Sequence, residues 1–300
     1  MSMKKTVVTI GIFDGVHIGH QAVIKKVVRQ ARSKGLTSAA VTFDPHPLKV
    51  LSRSHFVPSL MSLKHRVNLI KALGINKVVV LKFDKALAKK KGEDFVREIL
   101  IKKTGASEIY VGEDFCFGRG AKAGVKELKI IGRKYGLKIH AVKHLKRAGS
   151  IVSSSLIRRL VIAGRISEAS KLLGRPFSIL GTVVGGAKLA RSLGYPTANV
   201  NPHHEAIPPS GVYAVKVKFK ERFFKGIMNI GIRPTFYDRG TDEEPSIEVH
   251  IFNFHGKIYG KDLEIIFADK LRNEKKFKTI DSLVRQIKKD EALARRNLSL

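Results

Sequence analysis

The chain has 300 residues, of which 43% are hydrophobic, so it is long enough to bury one or two ordinary cores. The longest stretch without Asp, Glu, Lys or Arg is residues 192–204, which is shorter than the about 20 apolar residues of a membrane-spanning helix, and neither a membrane span nor a signal peptide is expected. A lone cysteine, Cys116, excludes a disulfide framework and favours a reducing cytoplasm, whereas a net charge of +32 attracts nucleotides, phosphates and nucleic acids alike.

In the first half, short apolar runs alternate with helical patterns. Apolar runs with little polar alternation, joined by helices, predict a parallel sheet covered on both faces, which binds ligands beyond the carboxyl ends of its strands. The predicted strands are residues 6–13, 38–43, 77–81, 108–111 and 138–142, and the predicted helices are residues 19–34, 63–73, 93–103 and 125–135.

The second half has successive strand patterns without intervening helices, which favours an antiparallel sheet or barrel followed by a terminal helix. The change of pattern near residues 174–176 predicts two domains, residues 1–174 and 175–300. The predicted strands are residues 177–184, 212–219, 223–230, 247–252 and 263–267, and the terminal helix, residues 280–296, has Ile280, Leu283, Val284 and Ile287 on one face.

A glycine-rich turn follows the first predicted strand. Residues 11–20 read Gly-Ile-Phe-Asp-Gly-Val-His-Ile-Gly-His, and the glycines permit tight turns and close approach of a ligand. A helix beginning near Gly19 would present its N–H groups to an anion, and His17 and His20 are spaced to reach one phosphate. Two imidazoles and a helix N-terminus supply the positive hydrogen-bond donors that nucleotidyl transfer needs. For a single histidine, helix capping would be the better interpretation.

A second segment, residues 151–158, places three serine hydroxyls before a predicted helix that carries Arg158. Hydroxyls, helix-end amides and a guanidinium can together hold a triphosphate. Ordinary N-capping by serine is the alternative, and it would be preferred if the histidine pair were absent.

In the second half, residues 181–199 form a glycine-containing basic stretch that ends in Pro-Thr-Ala-Asn. Thr197 and Asn199 are two residues apart, so on an extended segment their oxygens share a face, and oxygen ligands suit Mg²⁺. On these residues alone, a surface turn rich in glycine and proline is the better interpretation.

The first half resembles the FMN adenylyltransferase domain of bacterial bifunctional riboflavin kinase/FAD synthetases, within the nucleotidyltransferase superfamily. The matching segments are residues 11–20, 42–47, 111–118 and 152–158. The resemblance implies a Rossmann-like α/β fold with His17 and His20 as catalytic residues. It implies ATP contacts from Gly11, Phe13, Asp14, Gly15, His17, Gly19, His20, Ser153, Ser154 and Arg158. It implies flavin contacts from Pro45, His46, Pro47, Asp114, Phe115, Phe117 and Gly118.

The second half is similar to the flavokinase domain of the same enzymes, at residues 193–199, 211–213, 226–236, 247–250 and 271–277. The resemblance implies that Glu248 is the general base that takes the proton from the ribityl 5′-hydroxyl. It assigns ATP binding to Gly186 and Lys188, the metal to Thr197 and Asn199, and flavin binding to Asn229, Arg233 and Arg272. Four residues depart from the family pattern, namely Leu189, Ala190, Asn253 and Lys257.

These resemblances predict two consecutive reactions: riboflavin and ATP give FMN and ADP, and FMN and ATP then give FAD and pyrophosphate. Mg²⁺ is the expected cofactor, and the enzyme is expected to be a cytoplasmic monomer or weak homo-oligomer that binds no membrane and no specific nucleic acid. Two alternatives remain, a monofunctional adenylyltransferase with a degenerate kinase half and a basic nucleic-acid-binding protein.

Overall fold

A computed structural model describes residues 5–51, 57–147, 149–185, 194–203, 206–232 and 245–299. The chain divides into two compact units, the first formed by Met1–Ser59 with Leu63–Ile157 and the second by Leu60–Ser62 with Arg158–Leu300. The domain boundary expected between residues 174 and 175 remains a prediction.

The first unit is built on a parallel five-stranded sheet of order β3-β2-β1-β4-β5, which confirms the expected α/β architecture. The predicted helix at residues 93–103 is divided, because its second part has π-helical hydrogen bonding. The elements are β1 (Thr6–Ile10), α1 (Ile18–Ser33), β2 (Thr37–Asp44), α2 (Pro47–Leu51), α3 (Leu63–Ala72), β3 (Lys77–Lys82), α4 (Lys85–Lys89), α5 (Gly92–Phe95), the π-helix Val96–Lys103, β4 (Ala106–Gly112), the short 3-10 helix Arg119–Ala121, α6 (Val125–Lys134), β5 (Lys138–Val142) and the hairpin strands β6 (Lys146–Arg147) and β7 (Ser150–Ile151).

Burial explains why this part of the sequence forms a covered sheet. All five residues of β1 are buried, as a central strand with helices on both faces requires. Helix α1 contributes a stripe of buried residues at helical spacing, Val23, Ile24, Val27, Val28 and Ala31. The strand order reverses between β1 and β4, and in such sheets ligands usually bind beside the carboxyl ends of the strands at that point, here the end of β1.

The second unit contains a closed antiparallel barrel of order β10-β11-β12-β9-β8-β13, which confirms the predicted barrel. The predicted strands are present, and β9, which carries Asn199, is an additional strand. The elements are α7 (Ser154–Ile162, whose first residues belong to the first unit), α8 (Ile166–Leu173), β8 (Ser178–Val184), β9 (Ala198–Pro202), β10 (Gly211–Phe219), β11 (Arg222–Ile232), β12 (Pro245–Ile251), β13 (Asp262–Arg272) and α9 (Ile280–Asn297).

The terminal helix α9 packs against the barrel through its second half. It starts at a capping box formed by Thr279 and Ser282, and Ala294 and Leu298 lie in a buried cluster with barrel residues. Ile280, at the start of the predicted apolar face, is 64% exposed. In the described parts of the chain, no helix is both long enough and apolar enough to cross a membrane.

Candidate active sites

The turn between β1 and α1 has an unusual backbone. Phe13 and Val16 have positive φ values of 54° and 40°, a region that side-chain-bearing residues seldom occupy, and both are buried. Such strain persists where the surroundings hold it, and it is common at functional sites. Gly19 is needed for a different reason, since a β-carbon there would lie 3.1 Å from the imidazole of His17. The turn is therefore shaped around that ring.

The two histidines of the turn form a stacked pair. Their ring centroids are 3.6 Å apart, with 19° between the planes. His17 is the N-cap of α1, and its Nδ1 accepts a hydrogen bond from the backbone N–H of His20 at 3.3 Å. In the neutral ring, an accepting Nδ1 leaves the proton on Nε2, so His17 presents an Nε2–H donor. Capping and ligand contact are thus compatible roles for His17.

The environment disfavours charge on both rings. Burial, assisted by the charge of His144, lowers the pKa of His17 to about 4. Burial also lowers the pKa of His20 well below its usual value, with further contributions from His17 and Arg66. Near neutral pH and without a bound anion, both imidazoles are uncharged. This differs from the expectation of two positive donors, because the sequence does not show how deeply the pair is buried.

One of the predicted serines contacts the histidine turn, and its neighbour caps the helix that follows. Ser154 Oγ donates to the backbone carbonyl of Asp14 at 2.7 Å, and Ser153 Oγ accepts from the N–H of Leu156 at 3.3 Å, as a helix cap does. The start of α7 is thereby fixed to the end of the turn. Arg158 falls in the second unit, and its contact with ATP stays a prediction.

The residues expected around the flavin follow the carboxyl ends of β2 and β4. Pro45, His46 and Pro47 come directly after β2. Phe117 is buried in the core of the unit and stacks on the half-buried Phe115, with ring centroids 5.6 Å apart. Phe117 therefore holds the loop in place, whereas the exposed Asp114 and the left-handed Gly118 shape its outer part.

Two further side chains of the first site were missed by the sequence analysis. His144 follows β5, lies 3.4 Å from Asp114 through its Nε2, and is near enough to His17 to influence its pKa. Arg66 lies on α3 and is 4% exposed. The sequence offered one indication of this role. Arg66 is a charged residue that falls four positions before Ile70, on the side of the helix that is buried.

Three of the predicted kinase residues lie in a row across three barrel strands. Glu248 on β12 pairs with Asn229 on β11 and with Asn199 on β9. Directly paired residues of antiparallel strands point to the same face. Thr197 donates from Oγ1 to Glu248 Oε2 at 3.4 Å. The structure therefore brings a carboxylate, two amides and a hydroxyl onto one face of the barrel.

His250 and Glu274 extend this row and were not predicted. The Nδ1 atom of His250, two residues along β12 from Glu248, lies 2.9 Å from the carbonyl oxygen of Pro196, so it braces the segment that carries Thr197. A β-carbon at Gly231 would lie 2.6 Å from Glu274 Oε1 and 3.4 Å from the amide nitrogen of Asn229. The loop after β13 thus delivers a second carboxylate beside Asn229.

Arg272 has a packing role that was not predicted. Its Nε and Nη2 atoms donate to the carboxylate of Asp290 on α9 at 2.8–3.1 Å, and Nη1 donates to the carbonyl of Asn273. Asp290 is 4% exposed. This bidentate pair ties the end of β13 to α9, and the flavin contact assigned to Arg272 stays a prediction.

Several predicted residues lie outside the described part of the chain, namely Gly186, Lys188, Leu189, Ala190 and Arg233. Of the remaining departures from the family pattern, Asn253 has a φ of 56°, and asparagine tolerates that left-handed conformation well. Lys257 is exposed in the same connection after β12.

Comparisons with known proteins agree with this division of the molecule. A family model described as FAD synthetase matches residues 1–156, and one described as riboflavin kinase matches residues 173–298. The bifunctional riboflavin kinase/FMN adenylyltransferase of Bacillus subtilis is 38% identical, covering 98% of this chain and 93% of that protein. The protein of the same description from Buchnera aphidicola is 34% identical, over 99% of this chain and 95% of its own length.

A solved structure has the same fold over nearly the whole chain. The crystal structure described as a macrolide-efflux protein from Streptococcus pneumoniae superposes with a TM-score of 0.84 at 30% identity. The match covers 98% of this chain and 95% of that one.

Proposed function

The chain belongs to the family of bifunctional riboflavin kinase/FMN adenylyltransferases, and we propose that its barrel unit phosphorylates riboflavin with ATP and its first unit joins AMP from ATP to the resulting FMN. The observation that carries this proposal is that each unit holds its own cluster of candidate catalytic side chains. One is the stacked imidazoles of His17 and His20 at the carboxyl edge of the parallel sheet, and the other is the barrel row around Glu248.

In the first unit, a phosphate oxygen of FMN attacks the α-phosphorus of ATP, the bond to the β-phosphate breaks, and pyrophosphate leaves. His17 donates from Nε2–H to the phosphates, and the α1 N-terminus adds its partial positive charge. A bound triphosphate favours the protonated form of both rings, so ATP raises pKa values that burial has lowered. We assign the remaining ATP contacts of this unit to Gly11, Phe13, Asp14, Gly15, Gly19, Ser153 and Ser154, whereas the assignment of Arg158 rests on the family resemblance alone.

In the barrel unit, the ribityl 5′-hydroxyl attacks the γ-phosphorus of ATP and ADP leaves. Glu248 accepts the hydroxyl proton, a role supported by its position on the same face as Asn229 and Asn199. Gly186 and Lys188 are assigned to ATP, and Arg233 and Arg272 to riboflavin.

The donor set fits Mg²⁺. Thr197 and Asn199 bring oxygen atoms beside the carboxylate of Glu248, and hard cations prefer such ligands. Thr197 and Asn199 would hold the ion, which when bound neutralises charge on the ATP phosphates. The protein residues then orient the hydroxyl and hold its proton.

The proposal also covers the compartment, the oligomeric state and the nucleic-acid binding of the enzyme. We infer a cytoplasmic monomer or weak homo-oligomer without specific nucleic-acid binding. The exposed free thiol of Cys116 supports a reducing compartment.

One assay tests both activities. The purified chain is incubated with riboflavin, ATP and Mg²⁺, and the flavins are separated by chromatography. FMN should appear first and FAD should follow, and supplied FMN should be converted directly. Formation of neither product would refute the proposal, whereas FMN without FAD would leave only the kinase half and FAD from FMN alone would leave a monofunctional adenylyltransferase.

A further inference from the structure

Arg66 is a charged residue at a buried position of a helix, where an apolar side chain would be usual. It lies on α3 one turn before the buried Ile70, and only 4% of the residue is exposed. Arginine is almost never buried to this degree without partners, because removing its charge from water is costly. The identity of those partners indicates what the side chain does.

The guanidinium joins the carboxyl ends of two neighbouring strands. Nη1 donates to the carbonyl oxygen of Ile12 and Nη2 to that of Phe43, each at 2.9 Å. Ile12 lies at the start of the histidine turn after β1, and Phe43 precedes the Asp44–Pro45 peptide at the end of β2. Thr42 Oγ1 donates to the same Ile12 carbonyl at 3.0 Å. One buried side chain thus links the segment predicted to hold ATP to the segment predicted to hold the flavin.

The charges around Arg66 belong to the same site. Its Nη2 lies 3.8 Å from Asp44 Oδ1, and the buried Asp14 also favours the charged guanidinium. Burial lowers the pKa of Arg66 and the two carboxylates raise it, so the group stays charged. Burial is the main cause that lowers the pKa of His20, and the neighbouring His17 and then Arg66 lower it further, while His144 after β5 acts on His17.

We propose that Arg66 is a positioning residue for AMP transfer, which fixes the histidine turn and the segment after β2 in the relative geometry that the reacting phosphates require. It acts through two backbone carbonyls and needs no contact with ATP. This inference rests on the proposed adenylylation in the first unit.

The test compares three full-length variants in both reactions. Arg66→Met should lower kcat for FAD formation from FMN about 100-fold with little change in KM for ATP, because misplacement of the turn by about 1 Å has an effect of that order. Arg66→Lys keeps the charge but not the planar fork, and should give an intermediate kcat. Arg133→Met, which removes a charge from an exposed position on α6, should change neither reaction. FMN formation by the barrel unit reports intact protein in every case.

A second measurement separates positioning from simple scaffolding. Titration of the imidazole signals by NMR, assigned with a His20→Asn variant, should show that the pKa of His20 rises in Arg66→Met and is retained in Arg66→Lys. A folded Arg66→Met protein with kcat near wild type would overturn the proposal, as would a loss seen only in KM or an unchanged His20 titration.

If Arg66→Met does not fold, the kcat and the His20 titration of Arg66→Lys test the proposal. A folded lysine variant with wild-type kcat would show that the two carbonyl bonds are not needed, whereas a reduced kcat with the His20 pKa retained would support positioning. A wild-type protein that forms no FAD would refute the proposed function, which is a different outcome from any of these.

Discussion

The two candidate sites place their functional side chains in opposite ways. In the first unit they follow the ends of parallel strands, on a strained turn with two stacked imidazoles. In the barrel they lie on the strands themselves, where pairing of Glu248 with Asn229 and Asn199 sets their relative positions. The geometry of the first site therefore depends on the contacts that fix its turns. The geometry of the second depends on strand register and on the loops next to the strands.

The sharpest test of this contrast is the loss of the barrel carboxylate. Glu248→Gln should lower riboflavin phosphorylation about 1,000-fold, because a positioned general base contributes on that order. FAD formation from supplied FMN should be unchanged. Glu221→Gln, in the exposed turn between β10 and β11, is the matched control and should affect neither reaction. Equal losses in both reactions would show that the sites are not separate.

The corresponding change in the first site should have a somewhat smaller effect. His20→Asn should lower FAD formation about 100-fold, since one preorganised donor at a developing charge is worth that much or more. FMN formation from riboflavin should continue, so FMN should accumulate. His255→Asn, at an exposed position of the barrel unit, serves as control. An unaffected rate of FAD formation would remove His20 from the mechanism.

Acid should weaken the first unit through its buried imidazoles. The pKa of His17 is about 4 in the folded protein and about 6.5 when unfolded, so the unfolded chain binds more protons between these values. The stabilisation is complete above pH 6.5 and is lost as the pH falls towards 4, with about 2 kcal/mol lost between pH 7 and pH 5.

Calorimetric unfolding of wild type and His17→Asn at both pH values measures this loss. The variant should be less sensitive to acid in the transition of the first unit, with His255→Asn as the control. Identical pH dependence in wild type and His17→Asn would contradict the assigned burial.

The smallest expected effect comes from the glycine under the His17 ring. Gly19→Ala would place a methyl group 3.1 Å from that ring, so the ring must move by a few tenths of an ångström. We expect kcat for FAD formation to fall about tenfold. This loss is smaller than the loss of about 100-fold expected for a displacement of about 1 Å, because the shift is smaller. Gly124→Ala, with open space around its β-carbon and a negative φ, should have no effect. A wild-type rate of FAD formation would show that the His17 ring can shift by this amount without loss of activity.

The sequence was most informative where local pattern decides structure. Alternating apolar runs and helices predicted the parallel sheet, and the His17–His20 spacing predicted two rings at one helix start, because both signals are contained in short segments. The closed barrel was likewise predicted from successive strand patterns. Strand β9 was missed as a strand because it has only five residues, of which two are asparagines and the last is a proline, so it lacks an apolar β pattern.

Long-range contacts could not be predicted in this way. Arg66 meets Ile12 across 54 positions and Arg272 meets Asp290 across 18, and neither pairing has a periodic signature. The uncharged state of the imidazoles depends on burial by several elements. The family resemblance assigned Phe117 to the flavin, and only the tertiary structure shows that its ring is part of the core. Chemistry that arises from tertiary neighbours appears only when those neighbours are placed.

The contrast between an open sheet and a closed barrel also bears on the basic composition. The described sheet of the first unit ends at β3 and β5, and Lys77, Lys82 and Lys138 lie on these outer strands. Lysines on an edge strand hinder pairing with a second molecule, and a closed barrel has no edge to guard. Residues 1–174 hold 35 of the 57 Lys and Arg residues but 11 of the 25 Asp and Glu residues. We therefore expect these three lysines to hinder sheet-to-sheet association of concentrated enzyme, and neutral replacements at the three positions to promote it.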